Sequence, residues 1–199
     1  MLTARLSEFD LNIARAREIV GLGESIVGLS GGRLDATDLY RSALVQAVAS
    51  LDSYVHCVVL DLGVEILLGR RNSGSASKLG FHLGIVSDLL DAPTLIEREI
   101  RARMHVAQRL STETFQRPDA VAQALAMVGI PKLWTLAFGA SAERTILRLS
   151  VVVRRRNDIV HACDADPGNP GQFKPMDAVD AVAAIDDVCA IVRRIDQIL

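Results

Sequence analysis

Aromatic side chains are scarce in this chain: five Phe, two Tyr and one Trp make up 4% of 199 residues. Any core must therefore be built from aliphatic side chains, and Leu, Val, Ala and Ile dominate the half of the sequence that is apolar. That balance points to a close-packed helical protein and argues against disorder, because so much apolar surface can offset chain entropy. An excess of either charge is also missing: 22 basic residues face 24 acidic ones, a net charge of -2. Global charge thus gives no reason to expect nucleic-acid binding, and a local basic site stays open. Cysteine is limited to Cys57, Cys163 and Cys189, with no CxxC spacing. An odd count without a leader suggests reduced thiols and a cytoplasmic setting, not a disulfide framework.

Long uninterrupted hydrophobic runs are lacking as well. The most apolar windows are Ala43–Gly63 and Ala120–Phe138. Gln46, Asp52, His56 and Asp61 interrupt the first, and Gln123 and Pro131-Lys132 the second. No membrane span is expected from them. The opening MLTARLSEFDLNIARAREIV mixes acids and bases and reads as no secretory leader. His56, His82 and His105 are scattered, with no HExxH and no Cys/His cluster, so neither a metal nor another cofactor is expected. Gly21, Gly23, Gly28, Gly31 and Gly32 follow no strand and make no nucleotide fingerprint. Neither GxxxxGK[ST] nor GxSxG occurs. Asp164 and Asp166 before Pro167-Gly168 resemble a calcium loop only superficially, and a helix-ending turn is the simpler reading. RARMHVAQR, Arg101–Arg109, reads as a solvated basic face.

What is present is helical periodicity from end to end. Leu6, Phe9, Ile13, Ala16 and Val20 predict a first helix over Thr3–Val20, loosened afterwards by GLGESIVGLSGGR. Asp35 or Thr37 is placed to cap a long second helix, striped by Leu44, Val45, Val48, Leu51, Val55, Val58 and Leu62 and open to a bend at Gly63. Arg70–Gly80 predicts a loop, the segment most prone to disorder. A short helix near Leu83–Leu90 follows, then one opened by Pro93 in its first turn. Further helices are predicted from Pro118 or Asp119, after Pro131, from a Ser141 cap through Ala162, and from an Asp177 cap to the C terminus. The last is striped by Val179, Val182, Ile185, Val188, Ile191, Ile195 and Leu199. The class is all-α, one domain over residues 1–199, with long antiparallel helices and shorter packing ones.

One predicted helix carries an unusual load. AERTILRLSVVVRRRNDIVHA puts Ile146, Leu149, Val153 and Val160 on a core face at about 100° per residue. Arg144, Arg148 and Arg155 fall on the opposite, solvated side as a basic stripe. Arg156 and Asn157 border the core stripe, His161 lies one turn beyond Asn157, and Arg154 nearly shares the His161 face. Arginine and asparagine at the edge of a buried stripe are costly without partners, so a helix, a second subunit or a ligand must lie over them.

R-N-D-I-V-H at Arg156–His161 resembles the RNxxxH signature of the HEPN superfamily of ribonucleases. RRNDIVHACDAD, the upstream FQRPDAVAQALAMVG and LW, and ALVQAVASLDSYVH are similar to the subgroup called RiboL-PSP-HEPN, over roughly residues 36–199. Residues 1–35 would then be an added N-terminal helix and loop. The resemblance implies a bundle of two long helix pairs with short packing helices. It also implies a homodimer that brings two motif helices together at a cleft. Such proteins are commonly metal-independent endoribonucleases of toxin–antitoxin, phage-defence or RNA-processing systems, so RNA and a cognate antitoxin protein are the implied partners. A non-catalytic member would bind RNA, a nucleotide or a protein through the same residues.

The chemistry suits the residue types. In RNA the 2′-OH can attack the adjacent phosphate, leaving a 2′,3′-cyclic phosphate and a 5′-OH. His161 is the candidate for proton transfer, since imidazole titrates near neutrality. Arg156 is the candidate for stabilising charge on the phosphoryl oxygens. Asn157 is placed to orient the histidine or the phosphate. Arg148, Arg154 and Arg155 are candidates for gripping the RNA backbone, and Asp52, which interrupts the second helix's stripe, for supporting Arg156. Arg156 and His161 nevertheless point about 140° apart on a regular helix. Either the helix unwinds near Ala162, or two subunits share the site.

Overall fold

The computed structural model describes residues 4–73 and 80–199. Among them there is no strand; helices follow one another from end to end, with one isolated bridge between Ala165 and Phe173. In chain order they are α1 (Ala4–Ser30), α2 (Thr37–Leu67), α3 (Leu83–Leu90), α4 (Leu95–Leu110), α5 (Pro118–Met127), α6 (Leu133–Phe138), α7 (Ala142–Ala162) and α8 (Ala178–Asp196). The all-α helical bundle read from periodicity is what forms.

Several boundaries differ from the sequence reading. α1 does not stop at Val20 but continues through Gly21, Gly23 and Gly28 to Ser30. Gly23 is buried there because a Cβ would stand 2.7 Å from Tyr40 Cε1, so the missing side chain lets the ring close on the helix. Gly31 and Gly32, at φ 60° and 78°, end it. The predicted start at Thr3 lies outside the described residues, as does much of the predicted loop, residues 74–79. α2 passes Gly63 without a break. Asp35, not Thr37, supplies the stop before α2, accepting from the Thr37 N–H at 2.8 Å. Pro93 precedes α4 instead of opening it; Thr94 caps, accepting from the Glu97 N–H. Ser141 makes no side-chain cap, since its hydroxyl donates to the Phe138 carbonyl. Asp177 caps α8 as expected, in a reciprocal box with Asp180.

The chain divides into two compact units. The first holds Met1–Tyr54, Gln116–Pro118 and Trp134–Leu199. Its core is Phe9, Ile13, Ala16 and Val20 of α1, Ala43, Leu44, Ala47, Val48 and Leu51 of α2, Leu149, Val152 and Val153 of α7, and Ile185, Val188, Val192 and Ile195 of α8. Phe9 meets Tyr54 edge to face at 5.9 Å, and the Tyr54 hydroxyl donates to Asp196 at 2.7 Å. Burial and that carboxylate push the Tyr54 phenol well above its ordinary range.

The second unit holds Val55–Phe115 and Asp119–Leu133. Val55, Val58, Val59, Ala102, Val106, Leu110, Phe115, Val121 and Leu125 are buried in it. The basic face of α4 is internally matched: Arg101 pairs with Asp88 and Glu97, Arg103 with Asp61, and Arg109 with Glu113. By length and composition α2 is apolar enough to cross a membrane, and 56% of its most apolar window is buried inside the protein, as in a core helix.

Candidate functional site

The motif occupies the last two turns of α7, where the helix runs beyond its packing. Leu149, Val152 and Val153 are buried. One and two turns later the same side of the helix carries Arg156, half-buried, and Val160, which is 45% exposed. The assignment of Val160 to the core is therefore corrected: the helical period continues, but the described residues leave it partly open. Ile146, also assigned there, is half-buried.

Arg156 has one side-chain hydrogen bond among the described residues, donating from a terminal nitrogen to Asn157 Oδ1 at 3.2 Å. Its Nε is buried and has no partner. Asn157 thus supports the arginine, not His161 as its i, i+4 spacing suggested. His161 is exposed and makes no side-chain hydrogen bond among the described residues. Arg154 is exposed on the neighbouring face. α7 keeps its helical form through Ala162 and turns left-handed only at Cys163, φ 50°. Unwinding therefore does not swing His161 towards Arg156, and the two stay on different sides of one regular helix.

The other predicted contacts resolve differently. Asp52 does not reach Arg156; it accepts from Gln116 Nε2 at 2.9 Å. Arg148, expected as an open phosphate grip, forks onto both carboxylate oxygens of Asp187 on α8. Arg155 is not on a solvated stripe. It donates to Asp164 Oδ2 at 2.7 Å and to the carbonyls of Lys174 and Pro175. Both arginines are occupied by groups that sequence periodicity cannot see.

Asp164 is the residue that sequence reasoning missed. It is wholly buried, and its Oδ2 also accepts from Arg41 Nε of α2 at 2.8 Å. Arg41 donates in addition to the Lys174 carbonyl and to Asp38. The Asp164 backbone N–H donates to the Asp158 carbonyl and its own carbonyl accepts from the Lys174 N–H. Two successive left-handed residues, Cys163 and Asp164 at φ 50° and 56°, turn the carboxylate inward. Asp158 in turn accepts from Lys174 Nζ, and that hydrogen bond holds its carboxyl below the ordinary range. Asp166 accepts from the Gly168 N–H and from Asn169 Nδ2, making a turn of the DPGN stretch. The loop after α7 is thus pinned to α2 and α7 by charge, and it fixes where the helix ends. No group of three or more potential metal ligands occurs among the described residues.

A cleft of about 540 Å³ opens beside this anchor, lined by Asp35, Asp38, Arg41, Ser42, Val45, Gln46, Ile159, Cys163 and Phe173. Phe173 is 60% exposed, the only Phe, Tyr or Trp in the exposed class among the described residues. A second cleft, of about 460 Å³, lies between α7 and α8 and is mainly apolar, with Leu147, Val151 and Met176 in its walls. Searches against protein-family models, curated proteins and solved structures return no match to this chain.

Proposed function

We propose that the protein is a metal-independent endoribonuclease of the HEPN type, acting as a homodimer whose sites each take Arg156 from one copy and His161 from the other. The observation that carries this reading is the end of α7. An arginine with a buried, unpartnered Nε and a histidine whose side chain makes no hydrogen bond among the described residues flank a partly exposed valine, where the helix has outrun its own core. A half-buried guanidinium with a single side-chain hydrogen bond among the described residues suits an anion, although the Arg155 Nε is buried without a partner as well, and packing of the second copy's motif helix would cover the exposed part of Val160.

In this reading His161 moves the proton of the attacking 2′-OH or of the 5′ leaving oxygen. Arg156 takes the charge that builds on the phosphoryl oxygens, and Asn157 fixes the guanidinium plane through the Oδ1 contact. Arg154 is the remaining exposed arginine near His161 and is assigned the RNA backbone, while Arg148 and Arg155 hold the scaffold. A toxin or phage-defence setting, with a protein antitoxin as a further partner in the cytoplasm, fits an enzyme whose uncontrolled action on RNA would be harmful.

The test is cleavage of transfer RNA and total RNA in EDTA. Wild-type protein should cut and leave cyclic-phosphate ends; purified His161→Ala should be slower by at least about a hundredfold, the scale of general acid–base catalysis. If neither protein cuts while both remain folded and dimeric, the same arginine serves only to bind an anion, and the non-catalytic reading replaces this one.

A further inference from the structure

The cleft that holds Phe173 has features the cleavage chemistry does not use. Arg41 Cζ lies 5.6 Å from the centroid of the Phe173 ring, backing it while most of the ring stays open. Arg41 is itself immobilised by Asp164, Asp38 and the Lys174 carbonyl. The guanidinium behind the ring is therefore held before anything binds. An exposed ring in a chain so poor in aromatics offers a stacking surface, and stacking tolerates any planar base.

The polar lining sets the rest of the ligand. Asp35 and Asp38 face the cleft with Arg41 as the sole lining cation, and the Arg41 charge is already met by buried Asp164. A phosphate is repelled there, whereas a group rich in N–H donors is attracted. Hydrogen bonds from Thr37, the side chain's first and the backbone's second, hold the Asp35 carboxyl below its ordinary value, so it is an ionised acceptor at neutral pH. Gln46, half-buried in the wall, adds an amide that both donates and accepts. Ile159 and Cys163 place the cleft on the Arg156 side of α7, since they follow Arg156 by three and seven residues and come within about 60° of it around the helix.

We propose that this cleft is a nucleobase subsite selective for guanine, with the base stacked on Phe173 and its adjacent N1–H and N2–H groups donated to Asp35. Of the four bases only guanine presents two neighbouring donors on its pairing edge, the arrangement a carboxylate accepts in parallel. Uracil offers one donor between two carbonyls, which the carboxylates repel, and adenine and cytosine offer one amino group beside an acceptor. As a cleavage preference the inference rests on the ribonuclease reading; as a binding site it stands by itself.

The test is titration of the full-length wild-type protein with guanosine, adenosine, cytidine, uridine and inorganic phosphate, followed by calorimetry or NMR. Guanosine should bind roughly tenfold more tightly than the other nucleosides, and phosphate should leave the Phe173 signals unmoved. Phe173→Ala should abolish guanosine binding and Phe173→Tyr should retain it. Asp35→Asn keeps the turn before α2, because asparagine accepts from the same backbone N–H, and should bring guanosine within about threefold of adenosine. No nucleoside binding by folded protein, a different order among the four, or guanosine binding that survives Phe173→Ala overturns the proposal. If guanosine binds as stated but RNA stays intact, the ribonuclease reading falls and the subsite stands. If RNA is cut but guanosine does not bind, the subsite falls and the cleavage stands.

Discussion

Asp164 answers two guanidinium groups with one buried carboxylate, and Arg41 and Arg155 would face each other without it. Removing one member of a buried charge cluster leaves the others uncompensated, so Asp164→Ala should cost about 3–5 kcal/mol, read as a lower urea midpoint. His161 sits at the other extreme. It is exposed and its side chain holds no hydrogen bond among the described residues, so His161→Ala should change stability by less than about 0.5 kcal/mol. The contrast separates residues that hold the end of α7 in place from one that nothing in the fold requires. It was only half legible in the sequence. The RNxxxH spacing singles out Arg156, Asn157 and His161 as candidates and says nothing of what holds them. The partners of Arg155 and Arg148 lie nine and 39 residues away, and no local pattern encodes them.

At the scale of elements, α7 and the loop to α8 act together. Lys174 lowers the Asp158 carboxyl by its hydrogen bond, and Asn169 with the Gly168 N–H lowers Asp166. A carboxyl depressed on folding contributes stability that is complete above its unfolded value and is lost as pH falls through its folded one. As pH falls below the ordinary carboxylate range the loop should therefore loosen, seen as faster exchange of the Asp164 and Lys174 amides relative to their intrinsic rates. Lys174→Met should weaken that pH dependence and leave the part due to Asp166. Periodicity and caps made most helices readable: α3 falls on Leu83–Leu90 and α8 begins behind Asp177 with its box. α1 was cut short because glycines read as breakers, while Gly23 is there for the Tyr40 ring, a tertiary contact. Val160, read as a core position, and Val179 and Val182, read in the apolar stripe of the last helix, are exposed, since a stripe gives a direction and not the place where the neighbouring helix ends.

At the scale of the whole molecule, the net charge of -2 gives no bulk attraction for a polyanion such as the RNA of the proposed function. In the ribonuclease reading, recognition would have to come from the few groups at the end of α7 and in the cleft beside it. One regular helix cannot aim Arg156 and His161 at the same phosphate, so the proposal depends on symmetry: in a two-fold dimer that set Arg156 of one copy beside His161 of the other, the reciprocal pair would form a second site. Mixing Arg156→Ala chains with His161→Ala chains, letting them exchange, and assaying RNA cleavage in EDTA tests this most directly. Random exchange makes half the dimers mixed, each with one of two sites intact, so the account predicts recovery of roughly a quarter of wild-type activity from two inactive proteins. No recovery, with mixed dimers shown to form, would contradict it.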